Sequence, residues 1–155
     1  MMRSLTLISL LVLLALLAWP YFSVWRLNQA VLSTDPAALS EVVDINRIRL
    51  AVEQKLNKDI QSALGNFSDG FVQWLERGFR SEGQGALDRL VTLDWVRGLL
   101  LVESMPGEGF LPYVTYAFFD GLTAFQLRIG SEDQQPIQVR LQLIGASWRV
   151  SAIYY

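Results

Sequence analysis

The amino-acid sequence predicts an α+β protein: an N-terminal transmembrane helix, then helices packed on one face of a four-stranded antiparallel meander. Three features of the 155 residues carry that expectation. Leu5 to Val24 holds no charge, Ile45 to Leu64 repeats apolar residues at helical spacing, and residues 113–155 alternate apolar and polar side chains between turn signals. They divide the chain into a membrane anchor over residues 1–25 and a single domain over 26–155. Within the domain, 26–102 is a helical half, 103–112 a linker and 113–155 the sheet.

The anchor comes first. An α-helix needs about 20 apolar residues to cross the ~30 Å hydrocarbon layer, and the uncharged run supplies them. Trp19, Tyr21 and Trp25 gather at its far end, where amphipathic rings favour the membrane–water interface, and Arg26 closes it. A cleaved signal peptide is the competing reading, because a short basic start before a leucine-rich stretch is its pattern as well. The cleavage site argues against it: a cut after Ala18 puts Leu16 where a small residue is wanted and Trp19-Pro20 just beyond. Retention is therefore expected, with the very short head on the cytoplasmic side.

Leu27 to Leu32 continues this helix to about Ser33. Asp35-Pro36 restarts one, since Asp accepts a bond from an orphan N–H at the N-cap and Pro fits the first helical position. Asp44 is a second cap, and Ile45, Ile48, Val52, Leu56, Ile60 and Leu64 behind it form one apolar stripe that Gly65-Asn66 ends. A further amphipathic segment runs from Asp69 to Phe79, with Phe71, Leu75 and Phe79 on one face. Ala86 to Val91 and a Thr92-capped stretch through Val102 complete the half.

In the sheet, turn chemistry sets the register. Asp120-Gly121 signals a two-residue type I′ hairpin that pairs Phe118 with Thr123, Tyr116 with Phe125 and Val114 with Leu127. Gly145-Ala146 suits a type II′ turn that pairs Leu143 with Trp148 and Leu141 with Val150. The loop from Gly130 to Pro136 sets Ile129 near Ile137. Side chains alternate with period two, so this register puts Tyr116, Phe118, Phe125, Trp148, Val150 and Ala152 on one core-facing side. Gln126, Arg128, Gln138, Arg140, Gln142 and Arg149 fall on the other, with Arg140 between Gln126 and Ser151 and Gln142 beside Arg149.

Composition removes several chemistries. With no Cys and no His in the chain there is no disulfide framework, thiolate nucleophile, imidazole metal site or Ser-His-Asp triad. Neither a cofactor nor a metal is expected. A net charge of −2 offers no broad attraction for nucleic acid. Any acid or base would have to be a carboxylate, Lys or Tyr shifted by burial. Asp44, Asp94 and Asp120 are the imaginable carboxylates, yet each has a structural role: a cap, a first helical turn and a hairpin turn.

Pro20-Tyr21, Asp35 to Leu39, Val43-Asp44, Arg47 with Arg49, and Leu90-Val91-Thr92 together give the chain a likeness. It resembles the proteobacterial membrane-anchored family catalogued as domain of unknown function 2939. The resemblance implies a single-pass protein of the bacterial inner membrane with its domain in the periplasm, and it implies no activity. The helices followed by a meander also look like the cone-shaped arrangement of nuclear-transport-factor-2-like and cystatin-like domains, folds that host enzymes, binders and scaffolds alike.

Two surfaces are candidate sites. Arg128, Arg140 and Arg149 with Gln126 and Gln142 form a donor-rich sheet face that suits an acidic envelope partner or a lipid headgroup; a solvated face is the simpler reading. Trp95, Tyr113, Tyr116, Phe118 and Trp148 would line a pocket between sheet and helices, or simply belong to the core. The expected function is a noncatalytic, membrane-tethered interaction or assembly module. The alternatives are a binder of a small apolar or lipid ligand and, less favoured, a carboxylate-based enzyme.

Overall fold

The computed structural model describes residues 2–61, 70, 73, 77, 85–101, 104, 107–131 and 135–155. Its architecture is α+β, with an N-terminal apolar helix, further helices and an open four-stranded antiparallel sheet. Helix α1 runs from Met2 to Leu32 without interruption, although Pro20 lies inside it. Every residue from Thr6 to Trp19 is exposed, whereas Pro20, Ser23, Val24, Leu27, Asn28, Ala30 and Val31 are buried. One continuous helix is thus an exposed apolar rod at its start and a core helix at its end.

Helix α2 (Pro36–Val42) begins as expected: the Asp35 carboxylate accepts from the Ala37 N–H at 2.9 Å. Asp44 does the same for α3 (Ile45–Gln61), accepting from Arg47 N–H at 3.2 Å. Ile48 and Val52 of the apolar stripe are buried in the core. The stop at Gly65-Asn66, and the segment Asp69 to Phe79 apart from Gly70, Gln73 and Arg77, lie outside the described residues. Helices α4 (Ala86–Leu90) and α5 (Leu93–Leu100) follow, the second capped by the Thr92 hydroxyl, which accepts from Trp95 N–H. Arg49 joins α3 to α4: it donates to the carbonyls of Val91 and Asp88 at 3.0 and 2.8 Å and pairs with the Asp88 carboxylate. Carbonyls at a helix end have no partner within the helix, which is why a cation fits there.

A short 3-10 turn (Leu111–Tyr113) leads into β1 (Val114–Phe119), β2 (Ala124–Ile129), β3 (Ile137–Ile144) and β4 (Ser147–Tyr154), hydrogen-bonded in sequence order. The β3–β4 turn has the expected register, with Leu143 opposite Trp148, Gln142 opposite Arg149 and Leu141 opposite Val150. Gly145 takes a φ of +62°, which a first turn residue of this type needs. Ile129 faces Ile137 as expected.

The β1–β2 register differs from the expectation. Phe119 pairs with Phe125, Phe118 with Gln126, Ala117 with Leu127 and Tyr116 with Arg128. Asp120-Gly121 is not a two-residue turn but the start of a longer loop, closed by Asp120 N–H donating to the Ala124 carbonyl. The slip is an odd number of residues, so it reverses the faces. Phe119 and Ala117 turn toward the core, while Tyr116 and Phe118 turn outward at 43% and 58% exposure. A bulge at Thr115, whose hydroxyl donates to the Gly130 carbonyl, returns Val114 to the inner side. A second bulge at Ser151 sets Ala152 opposite Arg140, and Ile153, not Ala152, carries the core face onward opposite Val139.

Candidate functional site

Two places collect features beyond plain packing. The first is the junction of α1 with the sheet. Tyr21 packs edge-on against Phe125, with ring centroids 4.9 Å apart, and its hydroxyl donates to the Ala117 carbonyl at 3.2 Å. Phe119 stands perpendicular to Phe125 at 5.3 Å, and Trp148 reaches both rings. About two turns further along α1, the buried Asn28 carboxamide accepts from the N–H groups of Phe110 and Leu111 at 2.8 and 3.3 Å. Gly109 makes that possible: its φ is +70°, and a Cβ there would collide with the Asn28 carboxamide. A buried polar group needs such partners, because leaving one unpaired costs ~1 to 3 kcal/mol. The apolar rod is therefore locked to the domain at two levels, an aromatic one and a polar one.

The second place is the outer face of the sheet. Gln126 lies opposite Arg140, and Arg128 lies opposite Gln138. Arg128 stacks over the Tyr116 ring at 5.6 Å. Arg140 pairs with Asp120 at 3.5 Å, and the Gln126 and Gln138 amides meet at 3.4 Å. Arg149 and Gln142 separate from this group. Arg149 donates to the Ser40 carbonyl at the end of α2 at 2.6 Å, and Gln142 accepts from Arg47 of α3 at 2.9 Å. Both are drawn to the β4 edge, where Val43 forms a parallel bridge with Val150 and Asp44 N–H donates to the Val150 carbonyl.

The five aromatics expected around one pocket are dispersed. Trp148 is buried, Trp95 and Tyr113 pack half-buried against the core, and Tyr116 and Phe118 lie on the opposite side of the sheet. The space between sheet and helices is occupied by fully buried side chains, among them Leu27, Ile48, Phe110, Phe125 and Leu127. An open groove of about 550 Å³ lies elsewhere, at the end of α1, lined by Val31, Leu32, Ser33, Thr34, Arg97 and Leu101. Asp94 pairs with Arg97 at 3.2 Å within α5, and Asp120 with Arg140, so the three carboxylates singled out in the sequence sit apart, each at a cap, turn or ion pair.

Sequence reasoning placed no weight on Tyr21 as a sheet contact, on Asn28 or on Gly109. Asn28, beside Gln29 in the helical continuation Leu27 to Leu32, was the available signal for the polar lock.

These features define a class: an α+β domain continuous with one helix long and apolar enough, over Thr6 to Leu32, to cross a membrane. The chain belongs to the family described as "Protein of unknown function (DUF2939)", whose profile matches residues 9–99, from Ser9 within α1 to Leu99 near the end of α5. No curated protein and no solved structure matches it.

Proposed function

We propose that this protein is a noncatalytic interaction or assembly module, held at the bacterial inner membrane by a retained α1 with its domain in the periplasm. The observation that carries the reading is that, among the described residues, one apolar core cluster runs from α1 to the sheet. Where a ligand-binding α+β domain of this layout would keep a cavity between sheet and helices, Phe110, Phe125 and Trp148 occupy the space. The polar chemistry is displaced to the outer face of β1 to β3, where Arg128 and Arg140 stand with Gln126 and Gln138, a pattern suited to an acidic partner. Retention of α1 is supported by its all-round apolar exposure over Thr6 to Trp19, which lipid satisfies and water does not.

Intact-mass measurement and alkaline extraction of native membranes test the anchor. The full-length mass and resistance to extraction are expected; a mature start near Trp19 would refute retention. For the surface, Arg140→Gln should keep its stability within ~1 kcal/mol, since that charge is exposed, and the double variant Arg128→Gln/Arg140→Gln should lose salt-sensitive association in crosslinked membranes. Unchanged crosslinking at every salt concentration would remove this face from consideration.

A further inference from the structure

We propose that the tip of the β1–β2 hairpin, with Phe118 and Leu122, is a second membrane contact that enters the lipid interface beside α1. This rests on the reading of α1 as a retained anchor.

The direction of β1 carries the argument. Leu111, just before β1, is bonded to Asn28 of α1, and Ala117, within β1, is bonded to Tyr21. Moving forward along β1 is therefore moving backward along α1, toward the apolar rod. From Asn28 to Tyr21 the helix descends about 10 Å at ~1.5 Å per residue. Six residues of chain cover that descent, so continuing from Ala117 to the loop lowers it roughly another 5 to 8 Å at the same inclination. The loop thus comes level with Trp19 or below it, beside the stretch of α1 whose residues are all exposed.

What the hairpin presents there is apolar. Leu122 is 97% exposed at the tip, the most exposed large apolar side chain described, and Phe118 follows on the outer face. The loop Asp120 to Thr123 carries one charge, Asp120, which pairs with Arg140. Among the described residues nothing covers Leu122.

The length of the rod supports the same conclusion. Arg3 and Arg26 bound the uncharged stretch of α1, and about 20 residues of helix are needed to cross the ~30 Å hydrocarbon layer. The boundary must then lie at or beyond Tyr21, where Phe22 and Trp25, both exposed, stack at 5.6 Å on α1. At that depth the hairpin tip is already at the lipid.

The chain has no cysteine, so single-cysteine reporters are clean. Leu11→Cys, Leu122→Cys and Ser131→Cys in the full chain would each carry an environment-sensitive fluorophore. The proteins would be reconstituted in vesicles of phosphatidylethanolamine and phosphatidylglycerol, with or without a quencher on the upper acyl chain. The Leu11 and Leu122 labels should be quenched by the lipid quencher and spared by aqueous iodide. Ser131, at the opposite end of the sheet, should behave in the reverse way. Phe118→Cys repeats the tip measurement at an independent position.

Iodide access at Leu122 and Phe118, with the Leu11 label still in lipid, would overturn the hairpin contact and leave the anchor standing. Tip labels reached by neither quencher would mean that protein, such as a second copy, covers the tip, and would equally overturn it. Iodide access at Leu11 would overturn the anchor and the hairpin contact together.

Discussion

Truncating two adjacent phenylalanines separates the β1–β2 register from its alternative. Phe119 faces inward, half-buried, with its ring perpendicular to Phe125 at 5.3 Å and in edge contact with Trp148 at 6.2 Å. Phe118 faces outward, and the one described ring beside it is Phe119 at 6.1 Å. A fully buried Phe→Ala costs ~3 to 5 kcal/mol, so a half-buried ring that keeps two aromatic partners should cost ~2 to 3. Phe118→Ala gives up one edge contact and little buried area, which amounts to ~0.5 to 1 kcal/mol. Denaturant melts of the detergent-solubilised chain, probed by tryptophan fluorescence, measure both. A two-residue turn at Asp120-Gly121 would bury Phe118 and expose Phe119, and so would reverse the order. Phe118→Ala costing as much as Phe119→Ala, or more, would refute the register described here.

Asn28→Leu keeps the volume but strands the Phe110 and Leu111 N–H groups, at a cost of ~1 to 3 kcal/mol, and Gly109→Ala should do at least as much harm through strain and collision with Asn28. Melts that match wild type for both would mean the polar lock contributes nothing. Asp44→Ala removes the α3 cap and should cost ~1 kcal/mol in the same melts. Burial raises the phenol of Tyr154, with Arg140 partly opposing, and burial also raises that of Tyr155. The folded chain then holds those protons more tightly than the unfolded one. The stability they lend is whole below about pH 10 and is lost as pH rises through the folded values. Tyr154→Phe/Tyr155→Phe should flatten that alkaline decline; an unaltered decline would assign it to other groups.

Local chemistry was legible wherever one or two neighbouring residues decide the outcome. Asp35, Asp44 and Thr92 cap their helices because the oxygen and the orphan N–H lie within three residues of each other. Gly145 sets the β3–β4 register for a similar reason, since few residues adopt its φ. The apolar run of α1 announced a helix able to cross a membrane by length and polarity alone.

Tertiary structure decided what depends on partners far along the chain. Asp-Gly is compatible with a tight turn and with the start of a longer loop, and its local preference for the tight turn was overridden. The choice went to the register that lets Phe119 and Phe125 meet Tyr21 and Trp148, an aromatic cluster assembled from residues more than a hundred positions apart. Period-two alternation then carried that choice to every β1 side chain, sending Tyr116 and Phe118 outward. The bulges at Thr115 and Ser151 and the meeting of Asn28 with Gly109 likewise arise only once sheet and helix are packed together. A sequence by itself states which residues are apolar and how they repeat; which of two registers buries them is a difference in packing energy between complete folds.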